Sequence, residues 1–149
     1  MQTAIVITCV DDRLNHELLR IQVRHKLAAL YKDAGRVFVL NEIGGNFGEN
    51  FRNTVDLVLQ LGDDITFVAV LHHDDCRADR VGRRTPLDKT VAQVEAFLRQ
   101  RGVSCSLSWG NIITANNHIV WPRDGILQVT PAKSIQGASN PRLPGTSQT

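Results

Sequence analysis

The stretch ITFVAVLHHDDC, residues 65–76, decides how this chain is read. From Ile65 to Leu71 every residue is apolar or β-branched. A short run of that kind, without alternation, fits a strand buried on both faces, as in a parallel sheet. Two imidazoles, two carboxylates and a thiol follow it at once, from His72 to Cys76. A second stretch, AIVITCVDDR at 4–13, repeats the arrangement: the run Ala4 to Thr8 ends in Cys9, and Asp11, Asp12 and Arg13 come next. In open α/β sheets, sites gather outside the carboxyl ends of the strands. Both stretches therefore place unusual chemistry where such a fold puts its site.

Working outward, Leu18, Leu19, Val23, Leu27, Leu30 and Tyr31 recur at helical spacing within residues 15–33, with Gly35 as a stop. RVFVLN at 36–41 reads as a strand, GGNFGEN as a glycine-rich loop, and 49–61 as a helix ended by Gly62. Beyond Cys76 come a basic loop, RADRVGRRTP, and a helix over 87–101 carrying Val91, Val94, Phe97 and Leu98. Short strands follow in VSCSLSW, in NIITANNHIVW with a turn at Asn116 and Asn117, and in ILQVT. Strands alternating with helices predict an α/β fold. The expected architecture is a mostly parallel central β-sheet flanked by helices, with a partly antiparallel edge formed by the C-terminal strands. Residues 1–130 are expected as a single domain, and 131–149, rich in Pro, Gly, Ser and Thr, as a flexible tail.

A chain of 149 residues, 42% hydrophobic and 21% charged, is long enough for one buried core. Its net charge of +2 is spread along the sequence, so neither nucleic acid nor a membrane surface is expected as a partner; a small substrate is. The opening MQTAIVITC has no basic leader and too short an apolar run to span a bilayer, which points to a cytoplasmic protein. Three cysteines, an odd number without secretory features, favour a metal or a reactive thiol over disulfides.

Cys9, His73 and Cys76 together offer two thiolates and one imidazole. That set suits zinc, and three protein ligands leave a fourth tetrahedral position open, as in catalytic sites. Either half alone is weak, because H-x-x-C is common and a lone cysteine is usually a small hydrophobe. Their joint placement at two strand ends carries the reading. Cys105, in mid-strand, reads as core. His72 is either a proton shuttle or a packed histidine; by strand alternation it faces away from His73. Asp74 and Asp75 are expected to cap a following helical turn.

With these residues in view, the sequence resembles the β-class carbonic anhydrases. CVDDR matches that family's C-x-D-x-R and HHDDC its H-x-x-C; the intervening segment and, more loosely, WGNIITANNHIVW extend the similarity from residue 4 to about 130. The resemblance implies that Cys9, His73 and Cys76 bind Zn2+. It implies that Asp11 and Arg13 form a catalytic dyad, the aspartate either paired with the arginine or turned onto the metal. The implied activity is reversible hydration of carbon dioxide to bicarbonate by attack of a zinc-bound hydroxide, in a homodimer or higher homo-oligomer. The same scaffold would suit a carbonyl sulfide or carbon disulfide hydrolase, or a non-catalytic zinc-binding homologue acting through protein contacts. Asp12 stands where the family has a small residue and is expected to compete for Arg13 or for the metal; Arg77 replaces a glycine and is expected either to crowd the site or to add positive charge near a departing anion; Asn41 to Gly44 replace the family's usual segment, which changes hydrogen bonding near the site and the subunit interface. The sequence opens on its first strand without a helical arm, so the dimer is expected through the sheet edge or GGNFGENF.

Overall fold

A computed structural model of the protein describes residues 2–30 and 35–132. Most of the expected tail lies outside them, as does the end of the first expected helix. The chain runs β1 (Gln2–Cys9), α1 (His16–Leu30), β2 (Arg36–Glu42), a 3₁₀ turn (Ile43–Gly45), α2 (Glu49–Gln60), β3 (Asp64–His73), the short α3 (Arg77–Arg80), α4 (Leu87–Gln100), β4 (Cys105–Ile113), β5 (His118–Val120) and β6 (Ile126–Val129). Six strands form one sheet in the order β2-β1-β3-β4-β5, with β6 also on β4. The first four are parallel, and β5 and β6 run antiparallel to β4. This is the α/β sheet the sequence predicts, antiparallel edge included. The two C-terminal segments read as separate strands are one: Cys105–Ile113 pairs along β3 on one side and with β6, then β5, on the other.

Alternation along the central strands supplies both faces. Ile5, Ile7, Val68, Val70 and Leu107 meet Phe51, Val55 and Val58 of α2 and Val94, Phe97 and Leu98 of α4. Ala4, Val6, Phe67, Ala69 and Leu71 meet Leu19, Val23 and Leu27 of α1, with Ile112 and Ile119. A strand covered by helices on both sides has no polar face, which is why β1 and β3 read as continuous apolar runs. Cys9 and Cys76 close the α1-side core at the carboxyl end of the sheet. None of the described helices is long and apolar enough to cross a membrane.

The glycine-rich loop has two separate reasons for its composition. Gly44 and Gly45 hold φ of 65° and 66°, where a side chain is strained. Gly48 has an ordinary extended backbone, but a Cβ there would stand 2.4 Å from Oε1 of Glu42. That carboxylate, at the end of β2, accepts the Phe51 amide at 2.8 Å and so caps α2 in place of an N-cap side chain. The altered segment after the second strand thus supplies a buried helix cap.

Candidate metal centre

The strand order puts β1 and β3 side by side, so two segments distant in sequence end together. Their chemistry converges there. Sγ of Cys9, Sγ of Cys76 and a ring nitrogen of His73 all lie within 4.8 Å of one another, and all three residues are buried. The sulfurs are 4.0 Å apart. Two thiolates on one tetrahedral zinc, each at about 2.3 Å, stand about 3.8 Å from each other. The spacing therefore fits that ion with little adjustment.

Hydrogen bonding settles which nitrogen of His73 is available. Nδ1 lies 2.7 Å from the Asp74 carbonyl oxygen, which can only accept, so Nδ1 carries the proton. Nε2 keeps its lone pair, is buried, and has no hydrogen-bond partner. A buried acceptor without a partner costs free energy unless something occupies it. A cation held also by the two sulfurs would do so. Burial pushes the Cys9 thiol above its ordinary value; the amides of Asp11 and Gly44 pull it down, and the charge of Cys76 pushes it up again. Two thiolates here need a cation.

Beside this group, Arg13 grips Asp11 side-on: Nε donates to Oδ1 at 2.9 Å and Nη2 to Oδ2 at 2.6 Å, with the Arg13 amide also on Oδ1 at 2.9 Å. The Arg13 hydrogen bonds, ahead of every other influence, hold the Asp11 carboxyl well below the usual carboxylate range. The Asp11 side chain is 3% exposed, and its Oδ2 lies 3.9 Å from Nε2 of His73. The carboxylate thus sits beside the Cys9, His73 and Cys76 group while remaining in the grip of the arginine.

The competing carboxylate is Asp75 and not Asp12. Arg13 Nη1 donates to Asp75 Oδ2 and Nη2 to the Asp75 carbonyl, each at 2.9 Å. Asp12 is exposed. Asp75 takes φ of 53°, uncommon outside glycine, which Asp tolerates better than most residues. Its carboxylate also accepts from Arg80. Neither aspartate caps the helical turn: α3 starts without a side-chain cap. Asp74 turns instead to the β4–β5 turn, accepting the Thr114 amide at 2.7 Å and the Thr114 hydroxyl at 2.5 Å on Oδ1. Those bonds lower its carboxyl below the ordinary range.

Arg77 does not crowd the group, because it starts α3 and is exposed. His72 is packed: it is 3% exposed, burial first and then the Arg84 charge bring it down to about 4, and its Nε2 has no partner. Burial and the lowered value favour the packed reading of this ring. Cys105 is buried, and burial pushes its thiol up to about 12. It is core.

Thr114 and Asn117 have no motif to announce them. Both belong to the turn between β4 and β5. The Asn117 side chain accepts the Asn15 amide at 2.8 Å and donates to the Arg13 carbonyl at 3.1 Å. The only signal in the sequence was the turn itself. Arg13, Asp74, Asp75, Thr114, Ala115 and Asn117 line an open cavity of about 570 Å³; Cys9, His73 and Cys76 do not line it.

No protein-family model and no curated protein matches the chain. Among solved structures, the fold is similar to a carbonic anhydrase from Streptococcus mutans, with 18% identity and a TM-score of 0.47 over 85% of this chain and 81% of that one. It is similar also to a Coccomyxa beta-carbonic anhydrase in complex with acetazolamide, with 18% identity and a TM-score of 0.48 over 86% of this chain and 73% of that one.

Proposed function

We propose that the protein is a zinc enzyme that interconverts carbon dioxide and bicarbonate, with Cys9, His73 and Cys76 as ligands and Asp11 and Arg13 as the catalytic pair. The observations that carry the reading are two sulfurs and a ring nitrogen of His73 gathered within 4.8 Å, a buried His73 Nε2 without a hydrogen-bond partner, and an ionised carboxylate 3.9 Å from Nε2. Zinc in such a site is a Lewis acid that lowers the pKa of a bound water from 15.7 to about 7.

The chain's own residues do the rest. Asp11, kept ionised by Arg13, has acceptors only, so its Oδ2 would accept a hydrogen bond from a water held beside it and so orient that water. Arg13 holds both oxygens of that carboxylate and would offset the negative charge of two thiolates, easing departure of an anionic product. The ligands and Asp11 are almost closed to solvent, which suits a small apolar substrate needing few polar contacts. The reading carries with it a homo-oligomer; Val10 and Ile43, at the ends of β1 and β2 beside the site, are 53% and 43% exposed.

Metal analysis of the purified protein, with stopped-flow hydration of carbon dioxide, tests the proposal. The parent is expected to hold zinc and turn over, Cys9→Ser to lose the metal, and Asp11→Ala to keep zinc while losing most of the rate. A folded parent without zinc ends the reading. Turnover of carbonyl sulfide or carbon disulfide alone would move the assignment to a hydrolase, and zinc without any turnover to a binding protein.

A further inference from the structure

We propose that Thr114 is a positioning residue for the metal centre: its hydroxyl links the Asp74 carboxylate to Nδ1 of His73 and holds the ring in the tautomer that aims Nε2 at the ion. The inference rests on His73 being a ligand, as in the reading above. Thr114 Oγ1 lies 2.5 Å from Asp74 Oδ1, 2.9 Å from the Asp74 carbonyl and 3.2 Å from His73 Nδ1. A hydroxyl has a single proton and two lone pairs. The ionised carboxylate accepts only, so the proton goes to Asp74, and a lone pair is left to accept from Nδ1–H beside the Asp74 carbonyl at 2.7 Å.

The placement makes the hydroxyl more than one extra bond. His73 ends β3, and Asp74 already lies in the loop beyond it, so the carbonyl that fixes the ring must itself be held. It is held from β4 and the turn beyond it: the Asp74 amide donates to the Ile112 carbonyl at 3.3 Å, and the Thr114 amide to Asp74 Oδ1 at 2.7 Å. Thr114 thus grips both the acceptor and the ring. An anionic group behind the hydroxyl also strengthens the bond from Nδ1–H, which makes Nε2 a better donor to a metal.

Two substitutions in the full chain separate the hydroxyl from its packing. Thr114→Val keeps the shape and removes the hydroxyl; Thr114→Ser keeps the hydroxyl. Zinc affinity is measured by competition with a chromophoric chelator, and the His73 ring is observed by nitrogen-15 NMR of the metal-free protein, with near-UV circular dichroism as the check on folding. Thr114→Val is expected to bind zinc about ten- to a hundredfold more weakly and to admit a ring protonated on Nε2. Thr114→Ser is expected to stay close to the parent in both. Equal zinc affinity in the parent and Thr114→Val overturns the inference, as does Thr114→Ser falling as far as Thr114→Val. A parent that binds no zinc overturns this inference and the function together. A parent that binds zinc without hydrating carbon dioxide ends only the activity, and the two affinities still decide the role of Thr114.

Discussion

Arg13 spends nearly all of its N–H groups on two aspartates, side-on to Asp11 and end-on to Asp75. A guanidinium can do this because its donors form a fixed planar fork; an ammonium is a point charge without a plane. Arg13→Lys is therefore expected to preserve net charge and zinc content while letting Asp11 rotate, with hydration falling about a hundredfold. Unchanged turnover in that variant would show that the fork is not needed. Asp11 and Arg13 were legible in the sequence as a pair at a strand end. The part of Asp75 was not: it depends on a left-handed backbone and on a partner reached only across the sheet.

Among the elements, the junction between β2 and α2 shows how a loop sequence is set by its packing. Glu42 is 9% exposed and caps α2 through the Phe51 amide. Burial, the largest influence, raises its carboxyl above the ordinary value, with the Phe51 amide opposing. A raised carboxyl holds its proton more tightly in the native than in the unfolded chain. Stability is thus fully present below the unfolded value of about 4.3 and declines as pH rises through the raised native value. Glu42→Gln keeps an acceptor for Phe51 and removes the charge. Urea midpoints measured across this window are expected to fall in the parent and stay level in Glu42→Gln; parallel curves would show that Glu42 is not responsible. Gly48→Ala would press a methyl into the same carboxylate and is expected to cost about 1–3 kcal/mol by overpacking, read from the same urea midpoints. Composition alone gave no means of telling that close approach from a demand for positive φ.

At the scale of the molecule, the two apolar cores are made by the sheet and its helices, whereas the proposed centre only closes one end of the α1-side core. Metal removal is expected to lower the melting temperature without unfolding the chain, because zinc present at 1,000 times its Kd adds about 4 kcal/mol to a fold that stands without it. Thiols must lose protons to bind metal, and burial raises Cys9. The increment from zinc is therefore expected to shrink as pH falls. Calorimetry of the zinc-loaded and chelated protein at several pH values checks both; a chelated protein without a melting transition would make the metal a condition of folding.

What the sequence by itself determined is the sheet and the chemical class of its ends. Apolar runs without alternation require burial on both faces, and the thiols, imidazoles and carboxylates directly behind them then have one place to go, the carboxyl edge. Cys9, His73 and Cys76 are candidates on that ground alone, and the fold brings them within 4.8 Å of one another. Only the tertiary structure decided which residues hydrogen-bond beside them. Thr114 and Asn117 lie in an ordinary hairpin turn, and hydrogen bonds to His73 and Arg13 become visible once the parallel β3–β4 pairing and the β4–β5 hairpin set that turn over the site. Periodicity reports which side of an element is buried; a hydrogen bond needs atoms within about 3 Å, and that separation belongs to the folded chain alone.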